Sequence, residues 1–292
     1  MNIAIIGNIA SQGYVMGKEL RSRGHLVDNY CANNVFLSNP EMSHFIDIGK
    51  KYHIPFERTI RRFVYRHKKK YDLEVRFYSP KYVNTRHSVM IYVGSDIRDG
   101  IIPPENHCFA VTKDLFQYLK EYDARFLPWV IDTDLFKPAG NKPKTEKIRV
   151  GHFPTDPKMK GSHLVTEAIS ILRKKGYQIE YVSDRVPHDK MPEYLSSLDM
   201  LCDSFKLGIY GQIAIESLAV GTPVVCYVED RYFLHEEMKN QIVNCLPDAE
   251  SIALAILKAK DKKVDPDLVR HLHSPKTVVD ILLSTLSEWG FM

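Results

Sequence analysis

A loop with two glycines that leads into a helix is the part of the sequence best suited to bind an anion. Gly208 and Gly211 follow an apolar run typical of a buried strand, and they let the backbone approach a ligand closely. A helix is predicted from about 211 to 220, since Gly221 is placed to end it and Pro223 cannot continue it. Because unpaired N–H groups and the helix dipole point to one place at the start of such a helix, a phosphate-like anion would be stabilised there.

Charged residues around this loop extend the chemistry that it could support. Lys158 and Lys160 lie in an earlier loop that also precedes a predicted helix, where a lysine can neutralise a pyrophosphate. Asp203, at the end of the strand before the glycines, is the nearest acid. Glu216 lies on an otherwise mostly apolar helix, where an ionised carboxylate is costly unless it is hydrogen-bonded. The alternatives are solvated lysines in an ordinary loop, and a solvent-facing stripe formed by Glu216 and Gln212, one turn earlier.

The composition is that of a soluble globular protein with two domains of ordinary size. The chain has 292 residues, of which 44% are hydrophobic and 26% are charged. The net charge of +4 is too small to indicate nucleic-acid binding, and no apolar run approaches the roughly 20 residues of a membrane span. The cysteines are scattered and lack metal-binding spacing, which indicates reduced core residues of a cytoplasmic protein. The first residues are typical of a strand rather than a signal peptide.

Strands alternate with helices along the chain, which predicts an α/β protein. Residues 2–6 form an apolar run, and glycines that include Gly13 punctuate the loop to a helix that ends near Arg23. These glycines lack the full Gly-x-Gly-x-x-Gly order, so a Rossmann-type oxidoreductase is disfavoured. Gly13 therefore has the plain alternative of a tight strand-to-helix turn. Residues 139–147 are polar, with glycine and proline, and are predicted to link two domains.

The segment 208–225 resembles the donor-binding segment of retaining nucleotide-sugar glycosyltransferases of the GT-B fold, family 4. That family carries a Glu-Ala-Met-Ala-x-Gly-x-Pro-Val core, and the positions matched in this chain are Glu216, Ala219, Gly221, Pro223 and Val224. The resemblance extends over almost the whole chain, and includes the Lys-Gly pair at 160–161. It is strongest from 148 to 228 and weak from 30 to 85.

The resemblance implies a GT-B architecture, in which two Rossmann-like α/β domains face a cleft and a C-terminal helix crosses back to the first domain. The expected acceptor-side domain covers 1–140. The expected nucleotide-sugar donor-binding domain covers 147–275, and the crossover helix covers 276–292.

The resemblance also assigns roles to individual residues. Glu216 would bind the ribose hydroxyls of the donor, and Lys160 would bind its diphosphate, with Lys158 sharing that role. Asp203 would contact the sugar or the loop, so that Lys160 and Asp203 are the expected catalytic residues. The full expected donor-binding set is Gly13, Lys158, Lys160, Gly208, Ile209, Tyr210, Gly211 and Glu216. A bulky residue at Gly13 is expected to permit folding but to prevent turnover.

A Gly-Ser-Asp-Ile-Arg string at 94–98 also resembles the family. It places Asp96 and Arg98 on the expected acceptor side, at the end of a strand, where α/β proteins bind ligands. The alternative is a structural Asp–Arg pair.

The implied reaction is the transfer of a sugar, with retention, from a nucleoside-diphosphate sugar to a glycan, lipid or small-molecule acceptor. Neither a metal nor a cofactor is expected. Asp132-Thr133-Asp134 has the spacing of a metal motif, but it falls in the family's exit from the first domain. One departure from the family's pattern favours a protein without catalytic activity, because the family usually has a glutamate at the position of Gly208. The alternative is a non-catalytic nucleotide-sugar-binding or scaffold protein of the same fold.

A predicted amphipathic helix over 56–71 has a strongly basic face beside an apolar one. Such a helix can lie on an anionic membrane surface, which predicts a cytoplasmic protein at the inner face of a membrane. The alternative is a solvated basic face above an ordinary core stripe.

Overall fold

The computed structural model describes residues 1–30, 70–79, 85–138 and 146–292. The chain divides into two compact units. The first unit comprises Met1–Val130 together with His273–Met292, and the second comprises Ile131–Leu272.

The first unit is built on a parallel sheet. Its strands are β1 (Asn2–Ile6), β2 (Leu26–Tyr30), β3 (Tyr71–Phe77), β4 (Thr85–Tyr92), β5 (Cys108–Ala110) and β6 (Ala124–Phe126). Their order across the sheet is β2-β1-β3-β4-β5-β6. Consecutive residues Val89, Met90 and Ile91 of β4 are all fully buried. Because successive side chains of a strand point to opposite faces, both faces of the sheet are covered there, as is typical of parallel sheets.

The helices of the first unit include residues from both of its chain segments. They are α1 (Gln12–Ser22), the short α2 (Ser95–Arg98) and, near the C-terminus, α9 (Pro275–Glu288). Arg23, just after α1, forms an ion pair of 2.5 Å with Asp280 of α9. The imidazole Nδ1 of His273 lies 2.8 Å from the Trp129 carbonyl oxygen. These contacts join residues 273–292 to the rest of the first unit.

The second unit is also built on a parallel sheet. Its strands are β7 (Ile148–Gly151), β8 (Ile179–Val182), β9 (Met200–Cys202), β10 (Val224–Cys226) and β11 (Ile242–Asn244), in the order β11-β10-β9-β7-β8, and all are parallel. Its helices are α3 (Pro157–Lys160), α4 (Ser162–Lys174), α5 (Met191–Ser197), α6 (Gln212–Ala219), α7 (Ala249–Ala259) and α8 (Pro266–Leu272). A buried cluster that includes Val165 and Ile169 of α4 and Ile252 and Ile256 of α7 fills one side of the sheet.

The predicted α/β class is confirmed by these two parallel sheets. The predicted basic helix over 56–71 falls almost wholly within 31–69, outside the described residues. At its last residue the prediction is wrong, because Tyr71 begins β3 and pairs with Thr85 of β4. Pairing within the sheet overrides the helical spacing of this tyrosine. No helix in the described part of the chain is both long and apolar enough to cross a membrane.

Candidate functional site

The candidate site lies in the second unit, beyond the carboxyl ends of β7 and β9, which are adjacent strands. After β7, Asp156 caps α3 by accepting hydrogen bonds from the backbone N–H of Lys158 at 2.9 Å and of Met159 at 3.0 Å. Gly161 has a φ of +73°, a conformation that glycine adopts without strain, and it separates α3 from α4. The loop after β9 is joined to this turn, because the Phe205 N–H donates to the Lys160 carbonyl oxygen at 3.1 Å.

Asp203 connects Lys160 to the glycine loop. Its Oδ1 atom lies 2.6 Å from Lys160 Nζ, and its Oδ2 atom accepts a hydrogen bond from the Gly211 N–H at 2.6 Å. The Asp203 residue is 3% exposed, whereas 21% of the Lys160 side chain remains accessible. A Cβ atom at position 211 would lie 2.9 Å from Lys160 Nζ, so a glycine lets the ammonium group approach the start of α6. The structure thus brings together Lys160, Asp203 and Gly211, which the sequence predicted to share a site.

The loop of residues 208–211 is held at both ends. Gly208 has a φ of +67°, and its carbonyl oxygen accepts a hydrogen bond from the Glu229 N–H at 2.9 Å. The side chains of Ile209 and Tyr210 are buried, and the Tyr210 hydroxyl accepts from the Leu234 N–H at 3.3 Å. These two buried side chains anchor the loop. Ile209 and Tyr210 would therefore contact a bound ligand through their backbone atoms.

Glu216 is buried on α6, with 4% of the residue exposed. Its Oε1 atom accepts hydrogen bonds from Gln212 Nε2 at 2.8 Å and from His188 Nε2 at 3.1 Å. Gln212 is 9% exposed. The alternative of a solvent-facing stripe of Gln212 and Glu216 is therefore wrong, because the helix buries both side chains.

His188 is a site residue that sequence reasoning missed. It lies in a short 3₁₀ helix, His188–Lys190, that precedes α5. Burial disfavours its charged form, but the hydrogen bond to Glu216 and the negative charges of Glu216, Asp132 and Asp189 outweigh burial and raise the His188 pKa above 6.5. Nothing in the local sequence indicates this contact, since it joins residues 28 positions apart.

His152 was also missed. It follows β7 and is 1% exposed. Its Nδ1 donates to the Cys202 carbonyl oxygen at 2.8 Å, and its Nε2 lies 2.7 Å from the Ser162 hydroxyl at the start of α4. Burial lowers the His152 pKa below 6.5, which favours the neutral ring, and the carbonyl acceptor places its proton on Nδ1. His152 thus fixes the start of α4 relative to the ends of β7 and β9.

Lys158 lacks the ion pair that holds Lys160. It is exposed on α3, and the described residues provide no ion-pair partner for its ammonium group.

Gly13 lies within α1 in the first unit rather than in a loop, and a Cβ atom there would be 2.3 Å from the Gly7 carbonyl oxygen. The expectation that a bulky residue at Gly13 permits folding is therefore wrong, because backbone occupies the space.

Asp96 and Arg98, in the first unit, each have close partners. Asp96 is fully buried, and its carboxylate accepts hydrogen bonds from the N–H groups of Val93, Gly94 and Ile97. Arg98 donates through Nε to Asp114 at 2.8 Å. Asp96 thus stabilises the turn at the end of β4, and Arg98 links the residues after that turn to the segment that follows β5.

No protein-family model and no curated protein matches the chain. Its fold is similar to that of sucrose-phosphate synthase from Thermosynechococcus elongatus, with a TM-score of 0.69, 16% identity and coverage of 100% of this chain and 99% of that one. A glycosyltransferase from Rickettsia africae has a TM-score of 0.66 and 14% identity, with 98% of both chains covered. The catalytic domain of starch synthase IV from Arabidopsis thaliana, bound to ADP and acarbose, has a TM-score of 0.56 and 13% identity over 99% of this chain and 98% of that one. The predicted GT-B fold is confirmed by these similarities.

Proposed function

We propose that the chain is a glycosyltransferase that transfers a sugar from a nucleoside-diphosphate sugar to a glycan, lipid or small-molecule acceptor. The observation that carries the proposal is the arrangement of Lys160, Asp203 and Gly211 at the start of α6, the helix that also bears the buried Glu216. One region of the second unit thus places an ammonium group, the backbone N–H groups at a helix start and a carboxylate near one another, where a ligand could use them. The fold of sugar-transferring enzymes adds support.

The diphosphate of the donor would bind at the start of α6. Gln212 and Ile213 are the first residues of this helix, and their N–H groups precede the intrahelical bonds. Lys160 Nζ lies beside the same turn, is held there by its ion pair with Asp203, and can donate to a bound phosphate. Anions are favoured at such a helix start by the dipole and by the free N–H groups.

The nucleoside would bind through Glu216. Both hydrogen bonds that Glu216 receives from the described residues end on its Oε1 atom. The Oε2 atom therefore keeps its capacity to accept hydrogen bonds, and the paired hydroxyl groups of a ribose are suitable donors. A charge-assisted bond of this kind is stronger than one between neutral groups.

The chemical step releases a nucleoside diphosphate, so negative charge grows on the leaving phosphate. Lys160 and the N–H groups of α6 would stabilise that charge, and their positions are set before the reaction begins. We assign Asp203 a positioning role, because its two oxygens already hold Lys160 and Gly211. Transfer with retention and without a metal is part of the proposal, and it follows from the resemblance of the segment 208–225 to family 4.

A second candidate is a nucleotide-sugar-binding protein without catalytic activity. The observation that favours it is Gly208, which leaves this position of the loop without a side chain. Both candidates require nucleotide binding, and they differ only in turnover.

The test is the release of nucleoside diphosphate from UDP-, ADP- and GDP-sugars mixed with cell-derived lipids and glycans. Lys160→Met should lower both diphosphate affinity and turnover, and it should weaken diphosphate binding more than nucleoside binding. Lys175→Met is a matched control, since Lys175 is exposed just after the opposite end of α4. Turnover that survives EDTA supports the metal-independent reaction. Nucleotide binding without turnover would favour the second candidate, and the absence of binding to any of these nucleotides would overturn both.

A further inference from the structure

We propose that His188 is a positioning residue for Glu216, and that the proton on His188 controls how tightly the nucleotide binds. The inference rests on the proposed function, in which Glu216 accepts hydrogen bonds from the ribose. It goes further by assigning a role to a histidine outside the glycine loop and α6, and by predicting a pH dependence.

Two donors hold the carboxylate of Glu216 from different parts of the chain. Gln212 Nε2 approaches at 2.8 Å from one turn earlier in α6, and His188 Nε2 approaches at 3.1 Å from the segment before α5. Because both reach Oε1, they fix the rotation of the carboxylate group and leave Oε2 to a ligand. A carboxylate that is already oriented loses less conformational entropy when the ligand binds.

The contacts of His188 keep its ring in place. Its ring centroid lies 5.3 Å from that of Phe136, with an angle of 64° between the planes. Only 19% of the His188 side chain and 5% of the Glu216 side chain are exposed. The pair is therefore largely shielded from water. In such an environment an ionic hydrogen bond is stronger than at the protein surface.

Within the described ranges of the chain, the charged groups that act most strongly on His188 are acidic. Glu216 faces it from α6, Asp132 faces it from the start of the second unit, and Asp189 is its neighbour in the chain. These charges favour the imidazolium, although burial opposes it. Protonation of His188 supplies a counter-charge to Glu216 and adds a positive charge near a site proposed to hold a diphosphate. Affinity for the nucleotide is therefore expected to fall as the pH rises through the His188 pKa.

The experiment compares the wild type with His188→Gln, whose amide can still donate to Glu216 but does not titrate. Affinities for ADP, UDP and GDP are measured by calorimetry between about pH 5.5 and pH 8.5. The titration of the nucleotide phosphate is common to both proteins and cancels in the ratio of their affinities. The affinity of the wild type divided by that of His188→Gln should fall about tenfold as the pH rises across this range. Tenfold is the factor that corresponds to a difference of one unit between the His188 pKa of the free protein and that of the nucleotide-bound protein. His271→Gln is the control, since His271 is exposed at the end of α8.

A second measurement needs no ligand. The His188 pKa is followed by NMR in the wild type and in Glu216→Gln, where loss of the carboxylate charge should lower it. An unchanged His188 pKa in Glu216→Gln, or the same pH dependence of affinity in the wild type and His188→Gln, would overturn the inference while the proposed function stands. If the wild type bound none of the nucleotides at any pH, the proposed function would fall, and the role of the pair in nucleotide binding would fall with it.

Discussion

The side chain of Glu229 lies across the α-carbon of Gly208. A Cβ atom at position 208 would be 2.9 Å from Glu229 Cγ and 3.0 Å from Glu229 Oε1. The Glu229 N–H also donates to the Gly208 carbonyl oxygen at 2.9 Å, so a backbone hydrogen bond keeps the two residues together. The glycine loop has no side chain at position 208, but a carboxylate from the segment after β10 lies beside that position.

Gly208→Ala is expected to reduce stability by about 1–2 kcal/mol, because residue 208 has a φ of +67° that an L side chain adopts only with strain. It should also displace Glu229 and weaken nucleotide binding. Gly176→Ala is a suitable control, since Gly176 lies in the same unit with a φ of +90° and has no atom within 4 Å of an added Cβ. Chemical denaturation and calorimetry measure the two effects. Equal losses of nucleotide affinity in the two variants would contradict a local role of Gly208.

Glu216→Gln is expected to weaken nucleoside diphosphate binding by about 1–3 kcal/mol, the cost of a lost charge-assisted hydrogen bond. The amide keeps the size of the carboxylate but removes its charge and turns one acceptor into a donor. Glu193→Gln provides the comparison, since Glu193 is exposed on α5. Calorimetry with ADP, UDP and GDP measures the change. If both variants bind as the wild type does, Glu216 has no part in recognition.

Gly13→Ala is expected to destabilise the first unit by about 1–3 kcal/mol, the usual cost of forcing extra atoms into a packed interior. The added methyl group would lie 2.3 Å from the Gly7 carbonyl oxygen, and this backbone atom cannot move without disturbing the end of β1. Lys18→Ala, at an exposed position of the same helix, should change stability by less than about 0.5 kcal/mol. Thermal unfolding followed by circular dichroism tests this, and a Gly13→Ala midpoint equal to that of Lys18→Ala would refute it.

His152 is expected to make the second unit less stable in acid. Burial lowers its pKa in the folded state below 6.5, whereas the unfolded chain titrates near 6.5. The unfolded state therefore binds more protons as the pH falls below that value, and the folded state loses stability. His188 contributes with the opposite sign, since its pKa is raised in the folded state and its contribution is lost as the pH rises through that pKa.

The measurement for His152 is the unfolding midpoint at about pH 7.5 and pH 5.5 in the wild type and in His152→Asn. The asparagine amide can still donate to the Cys202 carbonyl oxygen but carries no titrating group. The wild type should lose more stability on acidification than the variant. A loss of the same size in both proteins would show that other groups account for the acid sensitivity.

The local parts of the site could be predicted from the sequence, because their signals lie within a few residues of one another. The loop glycines, the helix and Gly221 follow in one short segment, and the observed helix Gln212–Ala219 lies within the predicted limits. The proximity of Lys160 and Asp203 could also be anticipated, since each follows the carboxyl end of a parallel strand and such ends meet at one edge of a sheet.

The contacts of His188 with Glu216 and of Glu229 with Gly208 could not be predicted in this way. Each joins residues more than 20 positions apart in the chain, and neither depends on a repeated spacing. The buried position of Gln212 was missed for a related reason, because a single helix period does not reveal which polar side chains face a partner segment. Packing between segments, rather than local propensity, decided all three.

The assignment of residues 273–292 to the first unit has a consequence for the order of synthesis. The second unit, Ile131–Leu272, is one uninterrupted stretch of chain, whereas the first needs two stretches on either side of it. A ribosome therefore delivers every residue of the second unit before α9 is made. Until then, Arg23 lacks its ion pair with Asp280, and the Trp129 carbonyl oxygen lacks its contact with His273. The unit that is started first on the ribosome is thus the one that is completed last.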